Sequence, residues 1–261
     1  GLAAALELAE QGVDVRVLEA GHVRWGASGR NGGIPCIGSH KLSYTRMIRT
    51  YGLEATRTYY ETMRQSVALV RENLARFNID AWALGDGEVT LAHLPGRAAE
   101  LREDQAYLKA NFGDETEFLT KDQLKERGLD GPGFFAGLKA GSGFGIHPLN
   151  YARGLARAAA KAGARIHGQS RLIRWEETAD GHRLVTPGGP LGARHVIAAT
   201  NGYTPEDVSK RHAGRLMPAL SSIIVTRPLS EAERQAQGWT SPLMAFDSRK
   251  LLHYFRLLPN G

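Results

Sequence analysis

The sequence has little of what disulfide-bonded, metal-binding and membrane-spanning proteins need. Its single cysteine, Cys36, excludes an intrachain disulfide and a Cys-x-x-Cys site, and it favours a cytoplasmic protein. The nine histidines include no i, i+3 or i, i+4 pair and do not combine with the cysteine, so we expect no metal. No apolar run reaches the roughly 18 residues of a membrane span, so we expect no transmembrane segment.

An initiator methionine and a recognisable signal segment are also lacking. The chain begins inside a motif and ends at Pro259-Asn-Gly261, which has the composition of a turn before a returning strand. We therefore expect a chain that is truncated at both ends.

The charge of the chain is positive but dispersed. Lysine and arginine number 33 against 27 acidic residues, which gives a formal net charge of +6. Because these basic residues form no tract, we expect no nucleic-acid partner; an anionic cofactor and substrate would use only a few of them. Apolar residues at 42% and charged residues at 23% are typical of a globular protein, and 261 residues suffice for one large or two modest domains.

The first twenty residues have the pattern of a helix followed by a strand. Leu2, Leu6 and Ala9 fall on one helical face, Gly12 can close the helix, and residues 13–17 alternate as in a strand. This order is typical of the second half of a βαβ unit.

A carboxylate follows that strand at a position used for binding ribose. Glu19 lies about 20 residues after Gly1, the distance between the glycine turn and the acidic residue of a dinucleotide-binding unit. Gly1 would be the last glycine of a G-x-G-x-x-G turn, so only half of the fingerprint is present. An ordinary helix–strand pair with Glu19 exposed at the strand end is the alternative.

A glycine-rich stretch follows at residues 24–33. Its glycines disfavour a helix or strand interior and suit a close approach of the backbone to a ligand, with Arg30 available to an anion. A plain surface loop is the alternative. A hydrolase is disfavoured because Arg30 replaces the second glycine of a G-x-S-x-G elbow around Ser28, and no Gly-Lys-Ser or Gly-Lys-Thr phosphate loop is present.

The rest of the chain alternates between helical and strand-like patterns. Helices are predicted over 44–77, with a cap at Ser43 and a break at Gly52, and over 95–110, 120–127 and 148–162. Strands are predicted over 88–93, 134–139, 164–167, 171–175 and 184–186, over an apolar run at 193–200, and over 221–226 and 251–258.

Several motifs resemble those of the D-amino-acid-oxidase-like FAD-dependent oxidoreductases, and particularly the gamma-glutamylputrescine oxidase branch. They are Glu19-Ala20, Trp25-Gly-Ala-Ser-Gly-Arg-Asn-Gly-Gly33, Gly145-Ile-His-Pro-Leu-Asn150 and Arg194-His-Val-Ile-Ala-Ala-Thr-Asn-Gly-Tyr203. The resemblance runs from Gly1 to Gly261. It implies an α/β fold in which a three-layer, Rossmann-like FAD-binding domain (1–80 and 146–212) is interleaved with an α+β substrate domain on an antiparallel sheet (81–145 and 213–261).

The resemblance also implies which residues bind the cofactor, FAD. The implied FAD contacts are Gly1, Glu19, Ala20, Ala27, Ser28, Arg30, Asn31, Gly32, Gly33, Ile173 (or its neighbour Leu172, at the adenine), Ala199, Thr200 and Asn201. The candidates for the substrate side are His147, Tyr254 and Arg256, with His253 as a further cavity residue. Each of these has an ordinary structural alternative, and Cys36 is either a small packed residue or a covalent flavin anchor.

The activity implied is the oxidation of a small-molecule amine, such as gamma-glutamylputrescine or another amine or amino acid. Hydride would pass to flavin N5, the imine would hydrolyse, and oxygen would reoxidise the flavin with release of hydrogen peroxide. One alternative is a flavin-dependent amino-acid dehydrogenase that passes electrons to a quinone or a carrier. The other is a catalytically silent fragment of the flavin fold.

Overall fold

The chain folds into two compact units, each assembled from three separate stretches. A computed structural model describes residues 1–37, 42–208 and 211–261. The first unit comprises Gly1–Asn31, Arg76–Asp80 and Pro148–Ile224; the second comprises Gly32–Ala75, Ala81–His147 and Val225–Gly261. Residues 32–75 thus belong with the second unit, whereas the predicted segments grouped them with 1–31. The assignment of cofactor and substrate roles to the segments stays a prediction.

Helices and strands alternate along most of the described chain. The helices there are α1 (Leu2–Glu10), α2 (Tyr44–Tyr51), α3 (Leu53–Arg76), α4 (Arg97–Phe112), α5 (Lys121–Glu126), α6 (Pro148–Lys161) and α7 (Glu231–Gln237). The strands are β1 (Arg16–Leu18), β2 (Glu88–Leu91), β3 (Glu117–Thr120), β4 (Ala136–Ala140), β5 (Arg165–His167), β6 (Arg174–Thr178), β7 (Gly181–Thr186), β8 (Gly189–Ala193), β9 (Met244–Asp247) and β10 (Tyr254–Phe255). Two short 3-10 turns lie at Ala27–Gly29 and Asn201–Tyr203.

In the first unit, α1 and α6 pack together over a parallel strand pair. β1 pairs with β5, with Val17 opposite Ile166. The predicted apolar face of α1 is confirmed, because Leu6 and Ala9 are buried in one cluster with Leu155 of α6. An antiparallel meander of β6, β7 and β8 completes the sheet structure described in this unit.

In the second unit, a five-stranded sheet carries the core. Its strand order is β10-β9-β2-β4-β3, with β2 and β9 parallel and the other neighbours antiparallel. One cluster buries Val89 and Leu91 with residues of α5 and β9, and a second buries Leu101 of α4 against Leu138 of β4. The α/β class predicted from the sequence is therefore confirmed.

The predicted helix ends are confirmed where short-range chemistry defines them. The Ser43 hydroxyl accepts a hydrogen bond from the Arg46 amide at 3.3 Å, and Gly52 at φ +86° separates α2 from α3. Thr120 and Gln123 form a capping box at α5.

Three strand predictions are wrong in whole or in part. Residues 195–200 and 221–226 form no strand, and the predicted strand at 251–258 is reduced to β10. A strand needs a neighbour for its backbone hydrogen bonds, and no described residue pairs with either of the first two runs. β3, β8, β9 and α7 were missing from the prediction.

Candidate functional site

The start of α1 leaves its first backbone N–H groups uncapped by any side chain. Gly1 is the N-cap, and its carbonyl accepts the Ala5 amide at 2.9 Å. A Cβ at Gly1 would lie 3.6 Å from Cβ of Ala199, so the chain passes close to the helix start. Uncapped N–H groups and the helix dipole favour an anion such as a pyrophosphate.

Glu19 directly follows β1. Its backbone is hydrogen-bonded on both sides, and one of its two carboxylate oxygens has no partner among the described residues. Its amide donates to His167 O at 2.9 Å, and its carbonyl accepts from Ser170 N at 2.8 Å. Oε1 accepts the Gly21 amide at 2.9 Å, and no hydrogen bond from the described residues reaches Oε2. Ala20 is exposed beside it. The carboxylate can therefore still accept hydroxyl hydrogen bonds.

The glycine-rich stretch exposes a short, internally braced turn. The Asn31 side-chain amide donates to the carbonyls of Ala27 and Ser28, at 3.1 and 3.2 Å. The Arg30 guanidinium lies 4.8 Å from the centre of the Trp25 ring. Ala27, Ser28, Arg30 and Asn31 are all exposed. The turn thus presents small polar side chains and a cation on an exposed surface.

The other predicted cofactor residues of the first unit are exposed as well. Ile173 is 53% exposed and its amide donates to Val185 O at 2.8 Å. Ala199 and Thr200 are exposed in the run predicted to be a strand, and Asn201 begins a 3-10 turn at φ +47°.

The residues present in the first unit fit an adenine dinucleotide. Uncapped helix amides suit its phosphates, a carboxylate oxygen suits a ribose hydroxyl, and an exposed isoleucine suits a base. The individual contacts with FAD remain predictions.

In the second unit, Gly32 lies against Tyr254 of β10 and against Arg256, which directly follows that strand. Arg256 Nε donates to Gly32 O at 3.0 Å, and Arg256 Nη2 donates to Ile146 O at 2.6 Å. The Tyr254 ring packs on Gly32, where an added Cβ would lie 2.7 Å from the Tyr254 Cε2 atom. Tyr254 and Arg256, two of the three substrate-side candidates, thus both contact Gly32.

His147, the third candidate, follows directly after Ile146. Its amide donates to Ala81 O at 2.6 Å, and its ring meets the Trp82 ring edge-on with the centres 4.7 Å apart. The imidazole is half-buried.

His253 is oriented by a carboxylate that the sequence analysis missed. Asp247 is buried, and its Oδ2 lies 3.0 Å from His253 Nδ1, while Oδ1 accepts the His253 amide at 3.2 Å. Burial alone would raise the pKa of Asp247, but hydrogen bonds from Arg249 and His253 outweigh it and hold the pKa below its usual range. The His253 side chain itself is 70% exposed.

Glu88 is a second carboxyl that the sequence analysis missed. It is 4% exposed at the start of β2 and Oε2 has no hydrogen-bond partner among the described residues. Burial raises its pKa to about 8, although hydrogen bonds from the Ile37 amide and the Cys36 thiol favour the charged form. The sequence gives little indication that Glu88 is buried, because it is a single acidic residue at the start of an apolar strand.

The described surface of the second unit includes depressions of different sizes. One, of about 230 Å³, is lined by Cys36 and its neighbours Ile34 and Pro35 together with residues of α3. A larger surface cleft of about 600 Å³ between α5 and α7 contains none of the predicted site residues. Within the described residues, no group of three or more metal-ligating side chains could hold a metal ion, and no helix is long and apolar enough to cross a membrane.

The chain belongs to the class of flavin-dependent oxidoreductases. A sequence model of the family described as FAD dependent oxidoreductase (DAO) matches residues 1–261, and the chain belongs to that family. The cofactor is FAD, as the resemblance implied.

Curated relatives match nearly the whole chain. Gamma-glutamylputrescine oxidoreductase from Escherichia coli (strain K12) is 32% identical over 98% of this chain and 59% of that protein. A probable oxidoreductase, OrdL, from Haemophilus influenzae is 31% identical over 98% of this chain and 60% of that protein. The chain thus spans about 60% of the length of these relatives.

Solved structures share the fold. Glycine oxidase from Geobacillus kaustophilus superposes with a TM-score of 0.63 at 24% identity, covering 78% of this chain and 53% of that one. L-Proline dehydrogenase from P. horikoshii gives a TM-score of 0.70 at 16% identity, covering 100% of this chain and 64% of that one.

Proposed function

We propose that the protein oxidises gamma-glutamylputrescine or a similar small-molecule amine with FAD as the oxidant. The observation that carries this proposal is the 32% identity to gamma-glutamylputrescine oxidoreductase over 98% of the chain. The proposed contacts of FAD with the first unit follow from the geometry of α1, Glu19 and the exposed turn that begins at Ala27.

In this proposal the FAD contacts of the first unit bind different parts of the cofactor. The Gly1 turn and the first amides of α1 hold the pyrophosphate, and Glu19 Oε2 accepts a ribose hydroxyl. Ile173 covers the adenine, and Arg30 adds a positive charge for the phosphates. The remaining proposed contacts, made through backbone and small side chains, are Ala20, Ala27, Ser28, Asn31, Ala199, Thr200 and Asn201.

In the second unit the proposed flavin contacts are Gly32 and Gly33. When bound, FAD supplies the acceptor for two electrons from the amine carbon. Amines must lose their proton before oxidation, and His147 is the proposed acceptor because histidine is the most common general base in enzymes and its imidazole is half-buried here. The Tyr254 hydroxyl is the proposed hydrogen-bond donor to the substrate.

The electron acceptor in the proposal is oxygen, with hydrogen peroxide as product, and the compartment is the cytoplasm. Delivery of electrons to a quinone or a carrier is the rival. The two differ in one measurable product, because only the oxidase releases peroxide in an aerated mixture.

The test is the visible absorption spectrum of the purified chain with FAD, followed by anaerobic addition of gamma-glutamylputrescine. We expect bound flavin whose absorption near the long-wavelength maximum bleaches on adding the amine, and Glu19→Ala should bind FAD about tenfold more weakly. Glu7→Ala, which removes an exposed carboxylate from α1, is the matched control. Bound flavin that no amine bleaches would contradict the amine assignment, and absence of flavin uptake would favour the silent interpretation.

A further inference from the structure

We propose that Arg256 and Tyr254 act as a clamp that holds the Gly32–Gly33 segment in one conformation, so that Arg256 is a positioning residue. The inference rests on the proposed function in one respect, namely that this segment contacts FAD. The clamp itself is defined by contacts within the second unit.

The guanidinium of Arg256 joins two stretches of backbone. Nε donates to Gly32 O at 3.0 Å and Nη2 donates to Ile146 O at 2.6 Å. The same two stretches are joined by the Ile146 amide, which donates to Gly33 O at 2.8 Å. A planar guanidinium offers donors in a fixed fork, so it sets the spacing of the two carbonyls as well as satisfying them.

The Arg256 guanidinium binds these two carbonyls rather than a carboxylate. Among the described residues, no carboxylate lies within ion-pair distance of its guanidinium, although burial already lowers the pKa of Arg256. Nη1 is tightly placed, because a Cβ on Gly145 would lie 2.8 Å from it. We therefore infer that this half-buried cation fixes the relative position of the two backbone carbonyls.

Tyr254 is the second arm of the clamp. It lies in β10, Arg256 directly follows that strand, and both side chains contact Gly32. Phe255 packs into the core, with its ring centre 4.8 Å from that of Trp239. The Tyr254 ring covers Gly32 so closely that a Cβ there would lie 2.7 Å from Cε2. The core contact of Phe255 therefore anchors the chain between Tyr254 and Arg256, the two residues that reach Gly32.

The chemistry of the fork distinguishes a clamp from a site that needs only positive charge. A lysine keeps the charge but offers a compact ammonium that cannot hold two carbonyls at a fixed spacing. We therefore expect Arg256→Lys to behave like Arg256→Met. Tyr254→Phe keeps the ring on Gly32, so exchange of the Ile146 amide should be as slow as in the unaltered chain, whereas in Tyr254→Ala it should be faster.

The test is amide hydrogen exchange of the FAD-free chain. In Arg256→Met and Arg256→Lys the Ile146 amide should exchange about tenfold faster, while the amides of β2 stay unchanged as the internal reference for folding. Arg102→Met, which removes an exposed arginine stacked on Phe118 in the same unit, is the matched control. A slow Ile146 amide in Arg256→Met, or wild-type exchange in Arg256→Lys, would overturn the clamp.

FAD affinity is measured separately, so the clamp and the proposed FAD contact can each be refuted without the other. With the clamp and the proposed function both correct, the variants with fast exchange bind FAD about tenfold more weakly. Fast exchange with unchanged FAD affinity would keep the clamp and remove the flavin contact of Gly32. If Arg256→Met does not fold, Arg256→Lys and Tyr254→Ala decide the question: exchange at Ile146 as slow as in the unaltered chain would overturn the clamp.

Discussion

Glu88 ties the stability of the second unit to pH. Its folded-state pKa of about 8 lies above the ordinary value of 4.5, so between these values the unfolded chain loses a proton that the folded chain keeps. Stability therefore falls as pH rises through this window, with a slope of up to about 1.4 kcal/mol per pH unit. Glu88→Gln should lack that slope. Urea unfolding of both chains from about pH 5 to about pH 8 measures it.

The sign of this effect makes the test specific. Below the window both states are protonated and the penalty vanishes, whereas above about pH 8 both are ionised and the penalty is fully present. Glu72→Gln, at an exposed position on α3, should leave the slope as it is. Equal slopes for the unaltered chain and Glu88→Gln would show that Glu88 ionises normally in the folded protein.

At the scale of elements, α6 packs where only a glycine fits. A Cβ on Gly154 would clash with the side chain of Ile79, which is itself buried and cannot swing away. The clash should exceed the roughly 1 kcal/mol by which alanine favours a helix over glycine. Gly154→Ala should therefore destabilise the chain by about 1 kcal/mol, as read from chemical denaturation.

A second substitution shows whether that clash is the cause. In an Ile79→Ala background the space is open, so Gly154→Ala should become neutral or stabilising. Gly96→Ala is the control, since no atom lies within 4 Å of a Cβ there and its φ of −62° suits alanine. Equal effects of Gly154→Ala in both backgrounds would rule out Ile79 as the obstacle.

Which elements could be predicted from the sequence depends on how far away their determinants lie. The face of α1 and the caps at Ser43 and Thr120 depend on residues a few positions apart, and these predictions hold. The run 193–200 has the composition of a strand, but composition cannot supply the neighbour that a strand needs.

The same limit applies within the candidate site. Sequence motifs marked Glu19, Gly32 and Arg256, and these predicted contacts with FAD or substrate await their tests. The partner of Arg256 lies 224 positions away along the chain, so no spacing rule could reveal the bond to Gly32. Asp247 and Glu88 were missed for a related reason: only burial distinguishes them from ordinary acidic residues.

At the scale of the whole molecule, the FAD contacts proposed for the first unit can be tested by themselves. The contacts proposed for the adenosine and pyrophosphate belong to the first unit, through Gly1, Glu19 and Ile173. ADP contains these groups without the flavin ring, so ADP should slow amide exchange in α1, β1 and β5 while leaving β2 and β4 unchanged. Hydrogen exchange measured by mass spectrometry with and without saturating ADP makes the comparison.

The contrast with FAD completes this test. FAD contains the same adenosine and pyrophosphate groups, so it should protect the same elements of the first unit. Glu19→Gln removes the negative charge but keeps a side chain of the same size, and it should weaken both ligands alike, since both present the same ribose. Protection of β2 and β4 by ADP would contradict the proposed contacts of ADP with the first unit. An effect of Glu19→Gln on FAD only would place this carboxylate away from the adenosine.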